Sequence, residues 1–316
     1  MPDSRTIKTK LKTVGNIQKI TRAMEMVATS KMKRAIDKAL SVRPFAYFGL
    51  EFLLNFAQKT SEANADRKES GNISENIFYK TTLGTRTLIV EIASNKGLVG
   101  GYNANMFREL RNFVLRENLH EVDYIAVGKY AVQHVQKITA ALQGNLINSF
   151  TNFSTHSTLS DVQQLVDIIT AAYATGVYKN VLVAYTQFGT TISQTPTLYQ
   201  LLPVSPDIVK NQLASSADEQ ARVQFVERDM NEYVVEPSVG RILDVIIPKL
   251  ITAQVYQSLL ESMASEQASQ MVAMKNASDN AEDLQDKLML SYNHIRQEGI
   301  TRELSEIAAG AEVMNA

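Results

Sequence analysis

The chain has 316 residues, 45% hydrophobic and 21% charged, with a formal net charge of −1 and neither cysteine nor tryptophan. That excludes a disulfide-stapled miniprotein, a disordered tail, a thiolate zinc site, an iron–sulfur cluster and a cysteine nucleophile. The near-zero total gives no global argument for a nucleic-acid partner or an anionic membrane surface, but its distribution is informative. Arg5 to Arg43 holds eleven Lys or Arg against Glu25 and Asp37, and Glu261 to Glu312 holds ten Asp or Glu against four Lys or Arg.

The opening MPDSRTIKTK lacks an apolar stretch of signal-peptide length, and its Asp3 speaks against a transit peptide. The chain is therefore expected to remain where it is made. No run of about 18 apolar residues occurs, so any membrane association is expected through a partner, without a direct span. From residue 1 to 60 an apolar stripe runs Ile7, Leu11, Val14, Ile17, Ile20, Met24, Ala28, Met32, Ala35, Ala39, Val42. Its mean step of 3.5 is that of a helix supercoiling around a partner. Pro44 should kink or interrupt this helix. Residues 61–86 are polar and read as a linker.

Residues 87–236 read as an α/β domain. Thr87–Ala93 is a buried-strand pattern, followed by a Gly-rich turn, a helix from about Asn103 to Glu117, a strand at Asp123–Val127 and a helix from about Lys129. An amphipathic helix near Leu159–Tyr173, a strand at Val181–Thr186 and an extended segment, Thr190–Val204, complete it. Alternating strands and helices imply parallel βαβ units. Residues 206–229 are charged and polar, as expected of a surface insertion, and Glu232–Glu236 leads back toward the last helix.

The last segment, 237–316, carries a stripe from Ile246 to Ile295 whose steps alternate four and three throughout. Its middle is lean, with Ala, Ser and Gln where a dedicated coiled-coil dimer would place Leu or Ile. Opposite charge on the two end segments favours pairing them with each other, antiparallel, in one chain. At about 1.5 Å per residue the first helix would span roughly 85 Å and the last roughly 115 Å. The last should outreach the first, and its apolar end, Ile307 to Met314, is expected to need a socket in another protein. Pro248 is a second kink candidate, and Gly299 a weak point of about 1 kcal/mol.

Chemistry is hard to find. Ser94–Asn103 lies where a phosphate loop would, but Lys96 precedes the glycines and Tyr102 follows them, so neither the P-loop nor GxGxxG spacing is met. A tight structural or partner-contact turn is favoured over anion binding at the helix N-terminus. Gly128-Lys129-Tyr130 is weaker still. His120, His134, His156 and His294 show no ligand spacing, and no GxSxG elbow or paired-acid motif stands out. No catalytic residue, cofactor site or metal site is therefore expected. The basic face from Lys8 to Lys38 has no interleaved aromatics, so an acidic protein surface or solvent is favoured over nucleic acid.

Ile17–Ala35, Glu261–Ala268 and Met271–Ala281, extended by Tyr292–Gln297, Ile300–Ile307 and Ala308–Ala311 and by Lys96–Asn103 in the middle domain, closely resemble the gamma subunits of F-type ATP synthases. The resemblance implies α/β architecture with a long antiparallel coiled coil of the terminal helices and a central Rossmann-like domain with a mainly parallel sheet. It implies a non-catalytic rotor shaft that couples ion flow through the membrane c-ring to ATP synthesis or hydrolysis elsewhere. The partners it implies are the catalytic beta and non-catalytic alpha subunits, the epsilon subunit and the c-ring, at the cytoplasmic side of a bacterial inner membrane. Carried over by position, Met24 faces an acidic segment of the catalytic subunit, Arg296 and Gln297 contact one of its loops, and Thr301 and Glu303 fall in a segment associated with energy coupling. Gln270 stands where the family usually has Arg, Gly299 where Ala is common and Val99 where Cys is frequent.

Overall fold

In a computed structural model, residues 4–66, 78, 82–139, 144–204 and 239–314 are described. The expected insertion 206–229, the segment Glu232–Glu236 and most of the linker lie outside them. The elements are α1 (Ser4–Asp66), β1 (Arg86–Ile92), α2 (Tyr102–Arg116), β2 (Val122–Val127), α3 (Lys129–Thr139), β3 (Leu146–Phe150), α4 (Leu159–Ala174), β4 (Tyr178–Phe188), β5 (Gln194–Leu202) and α5 (Val239–Met314). The chain divides into two compact units, Met1–Thr29 with Gln270–Ala316, and Ser30–Ser269.

The larger unit is built on a five-stranded sheet in the order β3-β2-β1-β4-β5. β1 pairs in parallel with β2 and β4, β2 in parallel with β3, and β5 closes the edge antiparallel to β4. β1 is buried on both faces, as a central parallel strand must be, and its side chains alternate between two cores. Leu88, Val90 and Ile92 pack with α4 and with Ile247–Leu260 of α5, while Ile89 packs with α2 and α3. The result is a three-layer α/β arrangement with a mainly parallel sheet, as expected. β3 was not anticipated. Its LINSF sequence alternates half-buried and exposed residues, because an edge strand needs no continuous apolar run.

α4 begins with a capping box, in which the Thr158 N–H donates to Asp161 Oδ2 at 2.7 Å and satisfies a donor that the first helical turn leaves free. Neither proline interrupts its helix: α1 continues through Pro44 and α5 through Pro248. One lost backbone bond costs about 3 kcal/mol, and around Pro248 the burial of Ile247, Leu250 and Ile251 offsets it. Gly49 of α1 sits against Leu250, where a Cβ would overlap the leucine side chain.

The lean stretch of α5 has a structural reason. A stripe of serines, offset from the expected seam, fastens the helix to the sheet domain. Ser258 Oγ lies 2.9 Å from the Tyr199 hydroxyl and Ser262 Oγ 2.6 Å from that of Tyr102. Ser265 donates to the Thr186 carbonyl at 3.1 Å, and Ser269 to Gln194 Oε1 at 3.0 Å. The helix is thus enclosed on several sides here, and small hydroxyl residues bring it close while leaving no buried hydroxyl unpaired.

Candidate functional site

The smaller unit pairs the start of α1 with the C-terminal part of α5. Gln18 Nε2 donates to Glu282 Oε2 at 3.3 Å, and a Cβ on Gly15 would meet Gln285 Nε2. Moving forward on α1 therefore means moving back on α5, so the pair is antiparallel. On α5 the expected seam holds, with Met274, Ser278 and Ala281 buried and Gln285, Leu288, Tyr292 and Ile295 half-buried.

On α1 the seam needs correction. Ile17 and Ile20 are 48% and 60% exposed, and the inward positions are Gln18 and Thr21. Covered positions run Ile7, Leu11, Val14, Gln18, Thr21, Glu25, Ala28, alternating four and three. The expected stripe took three consecutive steps of three, which rotates off a 3.5-residue seam. Thr21 is tolerated inside because its hydroxyl donates to the Gln18 carbonyl at 3.0 Å.

The five candidate contact residues all belong to this unit but do not form one cluster. Met24 is half-buried beside the seam, and Arg296, Gln297, Thr301 and Glu303 are exposed on α5. With Gln18 level with Glu282, Met24 falls level with about residue 276, roughly 30 Å along the axis from Arg296. Thr301 Oγ1 donates to the Gln297 carbonyl at 2.9 Å, a bond within one helix that leaves the outward face free for a partner.

In the α/β unit, polar groups gather at both ends of the sheet. At the amino ends of the strands, Asp123 accepts from Arg86 Nε at 2.8 Å, Tyr178 OH at 3.0 Å and the Asn145 N–H at 2.9 Å. Burial works against this carboxylate, but these donors together hold it below its ordinary value. On the α2/α3 face, Glu91 is fully buried and lies 2.7 Å from His134 Nδ1, whose ring stacks on Phe107 at 3.8 Å. Burial pushes the Glu91 carboxyl up, and His134 partly opposes the shift. His134 is thus a packed partner of a carboxylate, a role its isolated position in the sequence could not reveal.

The Ser94–Asn103 loop is self-satisfied. Asn103 Oδ1 accepts from the Ser94 N–H at 3.1 Å and its amide donates to Ser94 Oγ at 2.7 Å, while Gly100 takes a φ of +58°, a conformation glycine adopts without cost. Gly128 has a φ of +100°, and a Cβ there would run into the Ala93 carbonyl. Between these loops and α5 lies a cleft of about 180 Å³, whose wall includes Glu266, pushed up to about 7 by burial although Lys31 and Lys96 pull it down. Sequence reading passed over Glu266 because it is one more acid on an acidic helix.

A family model described as ATP synthase matches residues 3–314. The ATP synthase gamma chain of Nitrosomonas europaea is 37% identical over 98% of this chain and 99% of its own length, and that of Roseiflexus castenholzii 35% identical over 99% of both. Among solved structures, a chain from the cryo-EM structure of the Tetrahymena thermophila mitochondrial ATP synthase central stalk and c-ring is 26% identical with a TM-score of 0.58. The match covers 82% of this chain and 99% of that one. A chain of the Euglena gracilis mitochondrial ATP synthase, 18% identical with a TM-score of 0.62 over 98% of this chain and 94% of that one, shares the fold.

Proposed function

This chain belongs to the ATP synthase family as a gamma chain and is a central-stalk subunit of an F-type ATP synthase, and from that premise we propose that it performs no chemistry and transmits torque. The observation that carries the proposal is the far end of α5. The antiparallel register sets the start of α1 level with about residue 296, so α5 runs on for about 18 residues, some 27 Å, beyond its partner. That end exposes Ile300, Leu304 and Ile307, at 50%, 61% and 69%, spaced as one face of a helix. Full burial of each is worth about 1.5–3 kcal/mol, which an apolar socket in another subunit would supply.

The socket is the ring of catalytic beta and non-catalytic alpha subunits, and the α/β unit meets the epsilon subunit and the c-ring. The subunit is peripheral, at the cytoplasmic side of a bacterial inner membrane; no helix among the described residues is long and apolar enough to cross one. In this reading residues 1–60 and 237–316 are the shaft, 61–86 the linker and 87–236 the α/β domain, with 206–229 inserted. Met24, Arg296, Gln297, Thr301 and Glu303 are contacts along the shaft. The exposed positions of the last four suit such a role.

Co-purification with the ring and c-ring subunits is the direct test, and failure to co-assemble would sink the proposal. Arg296→Ala with Gln297→Ala should leave the fold intact, because both side chains are exposed, while lowering proton-driven ATP synthesis in reconstituted vesicles. Unchanged synthesis in that double variant would remove both residues from the contact set.

A further inference from the structure

The β4–β5 hairpin is a feature that the shaft reading leaves without a task. From Asn180 to Val204 the chain runs 25 residues without Asp, Glu, Lys, Arg or His, in a protein that is 21% charged. For β4, which has a strand on each side, that is ordinary. For β5 it is not, because β5 lies at the edge of the sheet, and edges are where soluble proteins place charge to keep other chains away. Pro196 gives β5 a different safeguard, since it has no N–H to offer a further strand. Depletion of charge is the compositional mark of a surface that another protein covers.

The tip holds one apolar side chain in a fixed place. Ile192 is 89% exposed. A lone exposed isoleucine is ordinary, but this one stands on a turn braced from within and from α5. The Thr190 N–H donates to the Ser193 carbonyl at 2.9 Å, and the Ser193 N–H to Thr190 Oγ1 at 3.0 Å. The Gln194 amide donates to the carbonyls of Thr190 and Thr191 at 3.2 and 2.7 Å, while its Oε1 accepts from Ser269 of α5 at 3.0 Å. A residue held this way loses little conformational freedom on binding, which is what makes an anchor effective.

The direction of the tip selects the partner. Ser258 lies at Tyr199, Ser265 at Thr186 and Ser269 at Gln194, so α5 runs alongside the hairpin toward its tip. The helix from 258 to 269 and the strand from 199 to 194 each advance about 16 Å. Ser269 is the last residue of this unit, and beyond it α5 continues into the part that the torque reading puts inside the ring. Building on that reading, we propose that the tip is a bearing contact, with Ile192 entering an apolar notch on the face of the alpha and beta ring where α5 goes in. An uncharged anchor suits a rotating shaft, because it passes from one ring subunit to the next without stranding a charge.

The chain has no cysteine, so Ile192→Cys carries a single thiol at the tip. Labelled there with a benzophenone maleimide and photolysed in the assembled synthase, it should form an adduct that mass spectrometry identifies as an alpha or beta subunit. An adduct with the epsilon subunit or the c-ring alone, or none, would overturn the proposal. Ile192→Asp should leave thermal unfolding of the free chain unchanged while weakening its binding to purified alpha and beta subunits at least about tenfold. Unchanged binding would overturn it as well. A wild-type chain that does not join the ring sinks the torque reading, whereas wild-type and Ile192→Asp chains that join equally well sink only the bearing contact.

Discussion

Asp123 is buried and Glu266 half-buried, and the balance between desolvation and partners gives the two carboxyls opposite effects on stability. Burial opposes ionisation of Asp123, but Arg86, Tyr178 and Asn145 hold it below its ordinary value. Its contribution is complete above the unfolded value and is lost as pH falls through the lowered folded one. Asp123→Ala, which strands the Arg86 guanidinium, should cost about 3 kcal/mol near neutral pH, a deficit that shrinks in acid when measured by denaturant unfolding. Glu266, raised from 4.5 to about 7, contributes fully below the unfolded value and loses that contribution as pH rises through the folded one. Glu266→Gln should therefore be more stable than wild type at about pH 8, by up to about 3 kcal/mol, and no more stable below about pH 4. A wild-type advantage at the higher pH would show that the carboxylate is solvated. Neither residue stands out in the sequence. Asp123 is second in a strand and Glu266 sits on an acidic helix, and what sets them apart comes from parts of the chain distant in sequence: Arg86 and Tyr178 pull Asp123 down, while burial lifts Glu266 in spite of Lys31 and Lys96.

At the level of the helix, periodicity located the pairing but not every position in it. The α5 seam was legible because its steps alternate four and three without a break. The α1 seam was not, because Ile17 and Ile20 are more apolar than Gln18 and Thr21 and drew the stripe onto the wrong face. Hydrophobicity marks surfaces that are to be buried, and in a shaft some of those are buried only by other subunits. In the free chain, Ile17→Ser with Ile20→Ser should change stability by no more than about 0.5 kcal/mol, the range of ordinary exposed substitutions. Thr21→Asp, which places a charge in the seam, should cost at least about 2 kcal/mol. Thermal unfolding of both variants decides the matter, and a large loss in the isoleucine pair with none at Thr21 would restore the original face. The serine stripe of α5 was likewise invisible. Serines at 258, 262, 265 and 269 lie off the apolar stripe and carry no signal of their own until Tyr199, Tyr102, Thr186 and Gln194 appear as their partners.

For the whole molecule, the far end of α5 offers the cleanest separation of folding from assembly. Ile300, Leu304 and Ile307 are exposed in the chain by itself, so deleting 300–316 should leave its thermal unfolding within about 1 kcal/mol of wild type. The same deletion should weaken co-assembly with the alpha and beta subunits, and a truncated chain that assembles as well as the full one would remove the socket from the proposal. The sequence alone determined two long helices of opposite charge, their antiparallel pairing and an alternating α/β domain between them, because helix period, strand pattern and net charge are properties of neighbouring residues. It also carried the family resemblance, in motifs long enough to be specific. Only the tertiary structure decided which face of α1 is the seam, that His134 is the partner of a buried Glu91, and that Lys31, Lys96, Glu266 and Gln267 share a cleft. Those facts depend on distances between residues far apart in the chain, and such distances do not exist until the sheet, the two cores and the helix register are all in place.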